Sequence, residues 1–266
     1  RQMCIRDRFK PKEILEIGTF TGLSSLSMCI GLENDSKITT IDKNKETSLL
    51  KIIDEFSLKD AEQIKKIEAK TNHDVKAVEI FIGKKLESLN LKKYSEFVHL
   101  FCTSEDINNL SYNLMLKGYL DNEFKEINSL LLKDLKSKSK KWSKLPMLSF
   151  THGQTASPTT LGKEIANFHE RIKYHLNLLK SLNPSGKFNG AVGNYNAHVI
   201  TDDKVNWQSL SEKFVKSLGL NWSKYSTQIE LKDEMVSIIS TMENLNNVLL
   251  DLSLIHISEP TRPREI

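Results

Sequence analysis

The sequence has few of the residues that interrupt regular structure. Glycine (11) and proline (6) together make 17 of the 266 residues, which is about half of their usual share of roughly 12%. A chain with so few turn formers is expected to be mainly helical. No run approaches the roughly 18 consecutive apolar residues of a membrane span, and the first residues lack the apolar core of a signal peptide. These absences predict a cytoplasmic protein.

The sequence also has only three cysteines and a small excess of positive charge. Cys4, Cys29 and Cys102 are far apart and form no C-x-x-C pair, so neither a disulfide framework nor a zinc site is expected. The formal net charge of +4 gives little reason to expect a nucleic-acid partner, but it is compatible with a cleft that binds anionic ligands. We therefore expect no metal, no cofactor, no nucleic acid and no membrane among the partners.

The composition and periodicity of the sequence change along the chain and divide it into four predicted segments. Residues 1–11 and 254–266 resemble peptides produced when sequencing-adapter DNA is translated, and both are expected to lie outside the fold. Residues 12–47 contain short β-branched runs around a glycine loop, whereas residues 48–253 have helical periodicity. The predicted fold class is therefore mainly α, a long-helix bundle preceded by a small βαβ unit.

The βαβ unit carries a possible nucleotide site. A short strand precedes the loop from Gly18 to Gly22, a helix follows, and a second strand ends at Asp42, where a carboxylate could reach ribose hydroxyls. This segment resembles the first motif of class I S-adenosylmethionine-dependent O-methyltransferases, which implies cofactor contacts at Glu16, Gly18, Gly22 and Asp42. Because two strands and one helix cannot bury both faces of a sheet, the segment is not expected to function alone.

Apolar residues recur every three or four positions through residues 48–253 and predict long amphipathic helices. The predicted helices begin after Ser57, at about Asp74, after Thr103, at Thr159 and at about Glu230, and the last four end near Leu86, Trp142, Leu182 and Leu252. The longest would contain about 38 residues and measure roughly 57 Å. Helices of this length fit a bundle better than a compact globule.

Polar residues that could carry chemistry gather at the breaks between these helices. Thr103 and Ser104 could simply cap the longest helix, or the exposed amides there could bind an anion. His73 and His152 also lie at breaks, and each taken alone could be structural or catalytic. The histidines expected to be structural are His99, His169, His175 and His198.

Six segments resemble, in order and spacing, the motifs of the bacterial type of the adenylosuccinate lyase family. They are Thr71–Glu79, Cys102–Leu110, Thr151–Gln154, Lys163–Glu164, Asn189–His198 and Thr227–Glu230. The resemblance covers about residues 48–253. It implies the long-helix bundle of the fumarase/aspartase superfamily, whose members assemble as homotetramers.

The resemblance also implies a reaction and a set of site residues. The reaction is β-elimination of fumarate from adenylosuccinate to give AMP, and from succinylocarboxamide ribotide (SAICAR) to give AICAR, in purine biosynthesis. His152 matches the general acid, and His73 matches a supporting residue. The implied substrate contacts are Asn72, Asp74, Thr103, Ser104, Gln154, Lys163, Asn194 and Gln228.

Two features of the family have no counterpart in the sequence. The catalytic base of the family is a serine in a Ser-Ser-x-Met-Pro type loop, and no such pattern follows Thr227–Glu230. An Arg-Tyr pair of substrate contacts near the N-terminus is also missing. The chain as written is therefore expected to lack elimination activity. The alternatives are an S-adenosylmethionine-dependent O-methyltransferase and a non-catalytic helical oligomerisation module.

Overall fold

The computed structural model describes residues 52, 53 and 55–261. The segment 12–47 and its predicted cofactor contacts Glu16, Gly18, Gly22 and Asp42 lie outside this range, as do residues 1–11 and 262–266. The α-helices are α1 (Leu58–Thr71), α2 (Asp74–Ser88), α3 (Ser104–Tyr119), α4 (Lys125–Lys141), α5 (Leu161–Ser181), α6 (Asn196–Thr201), α7 (Trp207–Ser217) and α8 (Asp233–Thr261).

Six short strands, one 3-10 helix and one π-helical turn complete the described elements. A 3-10 helix spans Lys92–Phe97, and a π-helical turn at Leu120–Phe124 joins α3 to α4. The strands are β1 (Pro146–Met147), β2 (Phe150–Thr151), β3 (Gln154–Thr155), β4 (Thr159–Thr160), β5 (Ser185–Gly186) and β6 (Asn221–Trp222). β1 pairs with β4 and β2 with β3, both antiparallel, whereas β5 pairs with β6 in parallel.

The chain divides into two compact units. Unit 1 holds the described residues up to Met115 together with Ser185–Leu231, and unit 2 holds Leu116–Pro184 with the described residues from Lys232 onward. Unit 1 has two apolar clusters, one between α1, α2 and the 3-10 helix, and one around Leu110, Phe188 and α7. In unit 2, α5 packs against both α4 and α8, and Ile172 and Ile238 are completely buried there.

The predicted helices are present, and their ends follow the capping chemistry of the sequence. Ser57 and Asp60 form a capping box at α1: the Ser57 backbone amide donates to Asp60 Oδ2 at 3.0 Å, and the Ser57 hydroxyl donates to the same oxygen at 2.7 Å. The Thr160 hydroxyl caps α5 by accepting a hydrogen bond from the Lys163 amide. None of the helices that the structure describes is apolar over enough length to cross a membrane.

Two helix predictions need correction. The run from Ser104 to Lys141 is helical throughout, but the π turn at Leu120–Phe124 interrupts the α-helix after Tyr119. Leu116, Leu120 and Phe124 all pack in the unit 2 core. In an α-helix, side chains four positions apart are rotated by about 40° around the helix axis, so such a row turns gradually away from one face. The wider π turn offsets this rotation. The last helix starts at Asp233 rather than Glu230 and continues past Leu252 to Thr261, into the segment expected to lie outside the fold.

Candidate active site

His152, the predicted general acid, lies in the turn of a two-residue β-hairpin in unit 2. Strands β2 and β3 flank it, with Thr151 opposite Gln154. Both turn residues have positive φ, 53° at His152 and 73° at Gly153, as a type I′ turn requires. The imidazole is exposed, and so is Gln154. The hairpin therefore exposes the histidine to solvent. It also holds His152 in a backbone conformation that few residue types favour.

Lys163, a predicted substrate contact in unit 2, forms an ion pair with its neighbour Glu164 in the first turn of α5. Its Nζ lies 3.1 Å from Glu164 Oε1, and Glu164 Oε1 also accepts a hydrogen bond from the Thr159 hydroxyl at 3.1 Å. The lysine side chain is exposed, so in this structure Lys163 forms an ion pair with Glu164 at the surface.

His73 occupies the junction between α1 and α2 in unit 1. Its Nδ1 accepts a hydrogen bond from the Lys76 amide at 3.3 Å, so it is the N-cap of α2. Nδ1 also lies 3.3 Å from Asp74 Oδ1. The Nε2 atom of His73 lies 3.3 Å from the Ser104 hydroxyl. Two predicted site residues from separate motifs are thus in direct contact.

Asn72 and Asp74 complete this junction. Asn72 ends α1 in the left-handed conformation, with φ of 52°. Asp74 Oδ1 accepts from the Val75 amide at 2.7 Å, and Oδ2 accepts from the Asn108 side chain at 3.2 Å. Partial burial acts to raise the pKa of Asp74, but these hydrogen bonds outweigh it and hold the pKa below its ordinary value. An open depression of about 670 Å³ beside the junction is lined by Lys65, Glu68, Ala69, Asn72, His73 and Asp74.

Thr103 lies immediately before α3, and its backbone amide hydrogen-bonds to a buried carboxylate. The Thr103 amide donates to Asp106 Oδ2 at 2.9 Å. Asp106 is completely buried and forms an ion pair of 2.9 Å with the equally buried Lys187. Neither Asp106 nor Lys187 is among the site residues predicted from the sequence. The available signal was a lysine within an apolar, glycine-containing segment that lacks helical periodicity.

Asn194 and Gln228 lie on two loops of unit 1 that touch each other. Gly193 has φ of 80°, and a Cβ there would overlap the backbone of Ser226. The Asn189 side-chain amide donates to Ser226 Oγ at 2.8 Å. Asn194 and Gln228 are both exposed, so the loop contact presents two predicted substrate contacts to solvent.

His198 is buried in a box of aromatic rings. Phe101 stacks on it with ring centroids 5.0 Å apart, and Trp207 and Tyr195 meet it edge-on at 5.1 and 5.3 Å. Neither ring nitrogen has a hydrogen-bond partner in the structure. Burial lowers the pKa of His198 to about 4, although the charge of Asp106 acts in the opposite direction. The packing agrees with the structural role expected from the sequence.

These positions divide the predicted site between the two units. Unit 1 brings together the His73 junction, Ser104 and the start of α3, and separately brings the Asn194 loop against the Gln228 loop. Unit 2 holds His152, Gln154 and Lys163. Among the residues that the structure describes, no group of three or more His, Cys, Asp or Glu side chains is arranged to hold a metal ion.

A family model described as "Lyase" matches residues 26–255. The chain belongs to this lyase family. The match begins inside the segment that resembles a methyltransferase, and the comparisons give no support to the methyltransferase alternative or to the non-catalytic alternative.

Curated relatives of this lyase chain are adenylosuccinate lyases. The enzyme of Buchnera aphidicola subsp. Acyrthosiphon pisum is 42% identical over 229 residues, 86% of this chain and 50% of the relative. The Escherichia coli K12 enzyme is 42% identical over 81% of this chain and 49% of its own length. The Haemophilus influenzae enzyme is 44% identical over 75% of this chain and 44% of its own. The chain thus spans about half the length of the curated relatives it matches.

Solved structures confirm the helical fold of the lyase chain. The 3-carboxy-cis,cis-muconate lactonizing enzyme of Pseudomonas putida matches with a TM-score of 0.67 and 20% identity, over 92% of this chain and 53% of that one. A fumarate lyase of Mesorhizobium sp. BNC1 also has a TM-score of 0.67, with 16% identity, over 91% of this chain and 57% of that one. The fold is therefore that of the fumarase/aspartase type.

Proposed function

We propose that this chain forms part of the active site of an adenylosuccinate lyase. The reaction would release fumarate from adenylosuccinate to give AMP, and from SAICAR to give AICAR, in the cytoplasm. The observation that carries the proposal is the 42–44% identity with enzymes of that name. The proposal also accounts for the clustering of exposed polar residues at helix ends.

The elimination needs an acid and a base acting on neighbouring atoms. A base removes a proton from carbon, the electron pair of that C–H bond forms the new double bond, and the C–N bond breaks toward nitrogen. We assign to His152 the proton that the departing nitrogen receives, because an exposed imidazole on a short hairpin can reach a bound ligand and histidine is the commonest general acid in enzymes. The base would be the serine of the family loop, whose pattern the given sequence does not contain.

The remaining assignments concern binding. The substrate carries two carboxylates and a phosphate, and the N-terminal amides of α3 beside Thr103 and Ser104 suit such anions. His73 would orient Ser104, with Asn72 and Asp74 at the same junction. Gln154, Lys163, Asn194 and Gln228 are further proposed contacts, and all four are exposed in the structure.

A chimera tests the catalytic assignment. The regions of the Escherichia coli enzyme that have no counterpart here are joined to residues 48–253, and fumarate release from adenylosuccinate is followed by absorbance. We expect turnover in the chimera and none in the 266-residue chain. Activity in the 266-residue chain would contradict the assignment of the base.

The variant His152→Asn then tests the acid. Asparagine tolerates the positive φ of the turn, so this variant keeps the hairpin and removes only the proton donor. We expect it to lose roughly a hundredfold or more in kcat. His152→Ala serves as the comparison that also strains the turn. Full activity of His152→Asn in the chimera would contradict the assignment of the acid.

We further propose that the chain associates into a homo-oligomer, a homotetramer in the complete enzyme. In unit 2, Ile127 and Leu130 of α4 are 63% and 62% exposed. Ile127 follows Phe124 at the three-residue spacing of an amphipathic helix, and its exposure leaves this part of α4 without a partner inside unit 2. A partner chain is the natural cover for such side chains.

A further inference from the structure

A buried ion pair lies behind the proposed binding residues of unit 1. The side chains of Asp106 and Lys187 are both 0% exposed, and Lys187 Nζ lies 2.9 Å from Asp106 Oδ1. Lys187 also donates to the Gly190 carbonyl oxygen at 3.1 Å. Burying two charges costs several kcal/mol per ion before their attraction is counted. A pair in this position therefore needs further hydrogen bonds to be tolerated.

Those hydrogen bonds all come from the backbone of the two binding segments. Asp106 Oδ1 accepts from the Asn189 amide at 3.2 Å. Oδ2 accepts from the Gly190 amide at 3.1 Å and from the Thr103 amide at 2.9 Å. One carboxylate therefore holds the start of α3 and the segment that leads to Asn194.

Asn109, one turn further along α3, repeats the arrangement. Its side-chain oxygen accepts from the Lys187 amide at 2.9 Å, and its side-chain nitrogen donates to the Lys187 carbonyl at 3.1 Å. Asn109 is itself fully buried. Successive turns of α3 thus fix successive residues of the 187–190 segment, which leaves that segment no freedom to slide along the helix.

Asp60, a second buried acid of unit 1, has the contacts of an ordinary helix-capping residue. Asp60 occupies the same N3 position in α1, with Ser57 as N-cap and Lys85 as ion-pair partner at 2.8 Å. The hydrogen bond from Lys85, followed by that from Ser57, lowers the pKa of Asp60. The described contacts of Asp60 include no backbone group beyond that of its own capping residue Ser57, and the Lys85 side chain is 37% exposed. Asp60 therefore serves as a matched control that shares the cap and the ion pair but lacks the loop.

We propose that Asp106 and Lys187 are positioning residues that hold the Thr103–Ser104 end of α3 and the Gly190–Asn194 loop in one fixed arrangement for ligand binding. This inference rests on the proposed function, because the ligand is the substrate of that reaction. Neither residue touches the ligand. They act through backbone groups that a neutral side chain at position 106 cannot all satisfy, since an amide has one acceptor oxygen in place of two.

The test uses the 266-residue chain and three variants: Asp106→Asn, the double variant Asp106→Asn/Lys187→Met, and the control Asp60→Asn. Removing one partner leaves a buried charge unpaired, whereas replacing both by neutral groups of similar shape removes that penalty. We therefore expect the double variant to melt at a higher temperature than Asp106→Asn. A purely stabilising role would restore ligand binding together with the melting temperature.

Two measurements separate positioning from stability. The first is calorimetric titration with adenylosuccinate, for which we expect Asp106→Asn and the double variant to bind roughly tenfold or more weakly than wild type. The second is amide hydrogen exchange of the peptide covering residues 187–194, which should be faster in both of these variants. Asp60→Asn should leave both readouts at the wild-type level.

Each outcome decides the matter. Wild-type affinity and wild-type protection of residues 187–194 in the double variant would overturn the positioning role. Equal losses in Asp60→Asn would assign the effect to helix capping alone and would also overturn it. If the wild-type chain binds no adenylosuccinate, the titrations are made in the chimera, and a chimera that binds none would contradict the proposed function. The exchange rates of residues 187–194 decide in either case whether Asp106 fixes the loop.

Discussion

At the scale of the residue, His73 combines a structural contact with a proposed functional one. Its Nδ1 caps α2 while its Nε2 contacts Ser104. Asparagine is among the best N-cap residues, whereas alanine cannot cap and costs about 1 kcal/mol. We expect His73→Ala to lower the free energy of unfolding by about that amount and His73→Asn to change it by only a few tenths, as measured by urea denaturation.

The same pair of variants tests the site. Both lose the contact with Ser104, so both are expected to weaken adenylosuccinate binding in calorimetric titration. Undiminished binding by His73→Asn would assign His73 to capping alone. Weakened binding by His73→Ala only would trace the effect to the helix end.

His198 predicts a specific pH dependence of stability. Its pKa is about 4 in the folded protein because of burial, against an ordinary value of about 6.5. The neutral form is therefore favoured by folding, so stability is fully present above pH 6.5 and is lost as pH falls toward 4. This histidine alone would contribute a loss of roughly 3 kcal/mol over that window.

The variant His198→Phe isolates this contribution. Phenylalanine can occupy the aromatic box formed by Phe101, Tyr195 and Trp207 and cannot be protonated. Urea denaturation from pH 7 to pH 4 should show a smaller loss of stability in the variant than in wild type. Parallel curves for the two proteins would contradict the assigned burial of the neutral ring.

Single residues also show where sequence reasoning ends. The turn at His152 and the helix start after Thr103 follow from local chemistry, so the loop positions of both residues are predictable. The partner of Asp106 is not, because Lys187 is 81 positions away and only the folded chain brings the two together. Local signals report caps and turns, whereas buried pairs depend on tertiary contacts.

At the scale of the element, the helices of residues 48–253 are predictable because their apolar spacing and caps agree. The π turn at Leu120–Phe124 is not, because the steps of three and four residues read as one continuous helix. The exposure of Ile127 is likewise invisible to periodicity. A helical pattern shows which residues share a face, but not whether a neighbouring element covers that face.

Two helical glycines of unit 2 make opposite predictions. A Cβ at Gly162 in α5 would overlap the Ser139 carbonyl oxygen and the Ser143 backbone, whereas a Cβ at Gly118 in α3 would meet nothing within 4 Å. Gly162→Ala should therefore destabilise the protein by about 1–3 kcal/mol. Gly118→Ala should stabilise it by up to about 1 kcal/mol, because alanine favours helix.

Thermal unfolding of the two alanine variants beside wild type checks this pair. The same chemical change is made in both, so the sign of the shift in melting temperature reports the space around each glycine. A Gly162→Ala protein as stable as Gly118→Ala would show that α4 and α5 do not approach each other at this point.

At the scale of the whole molecule, α8 carries two apolar faces. Ile238, Leu245 and Val248 are buried in the unit 2 core. A second set is 52–61% exposed and comprises Val236, Ile239, Leu250 and Leu254. At about 100° per residue, the two sets lie on opposite sides of the helix. A single chain buries only one of them, so the second set is available for a partner chain.

We therefore expect the 266-residue chain to self-associate through this second face. In sedimentation velocity the average mass should rise with concentration, and Ile239→Glu/Leu250→Glu should shift the population toward monomer while the melting temperature of the monomer is retained. Ser237→Glu/Asn244→Glu is the matched control, because it adds the same charge to exposed positions of α8 outside the apolar stripe. The control should associate as wild type does. A wild-type chain that stays monomeric at high concentration, or a control that dissociates as fully as the Ile239 and Leu250 variant, would show that α8 does not form the contact.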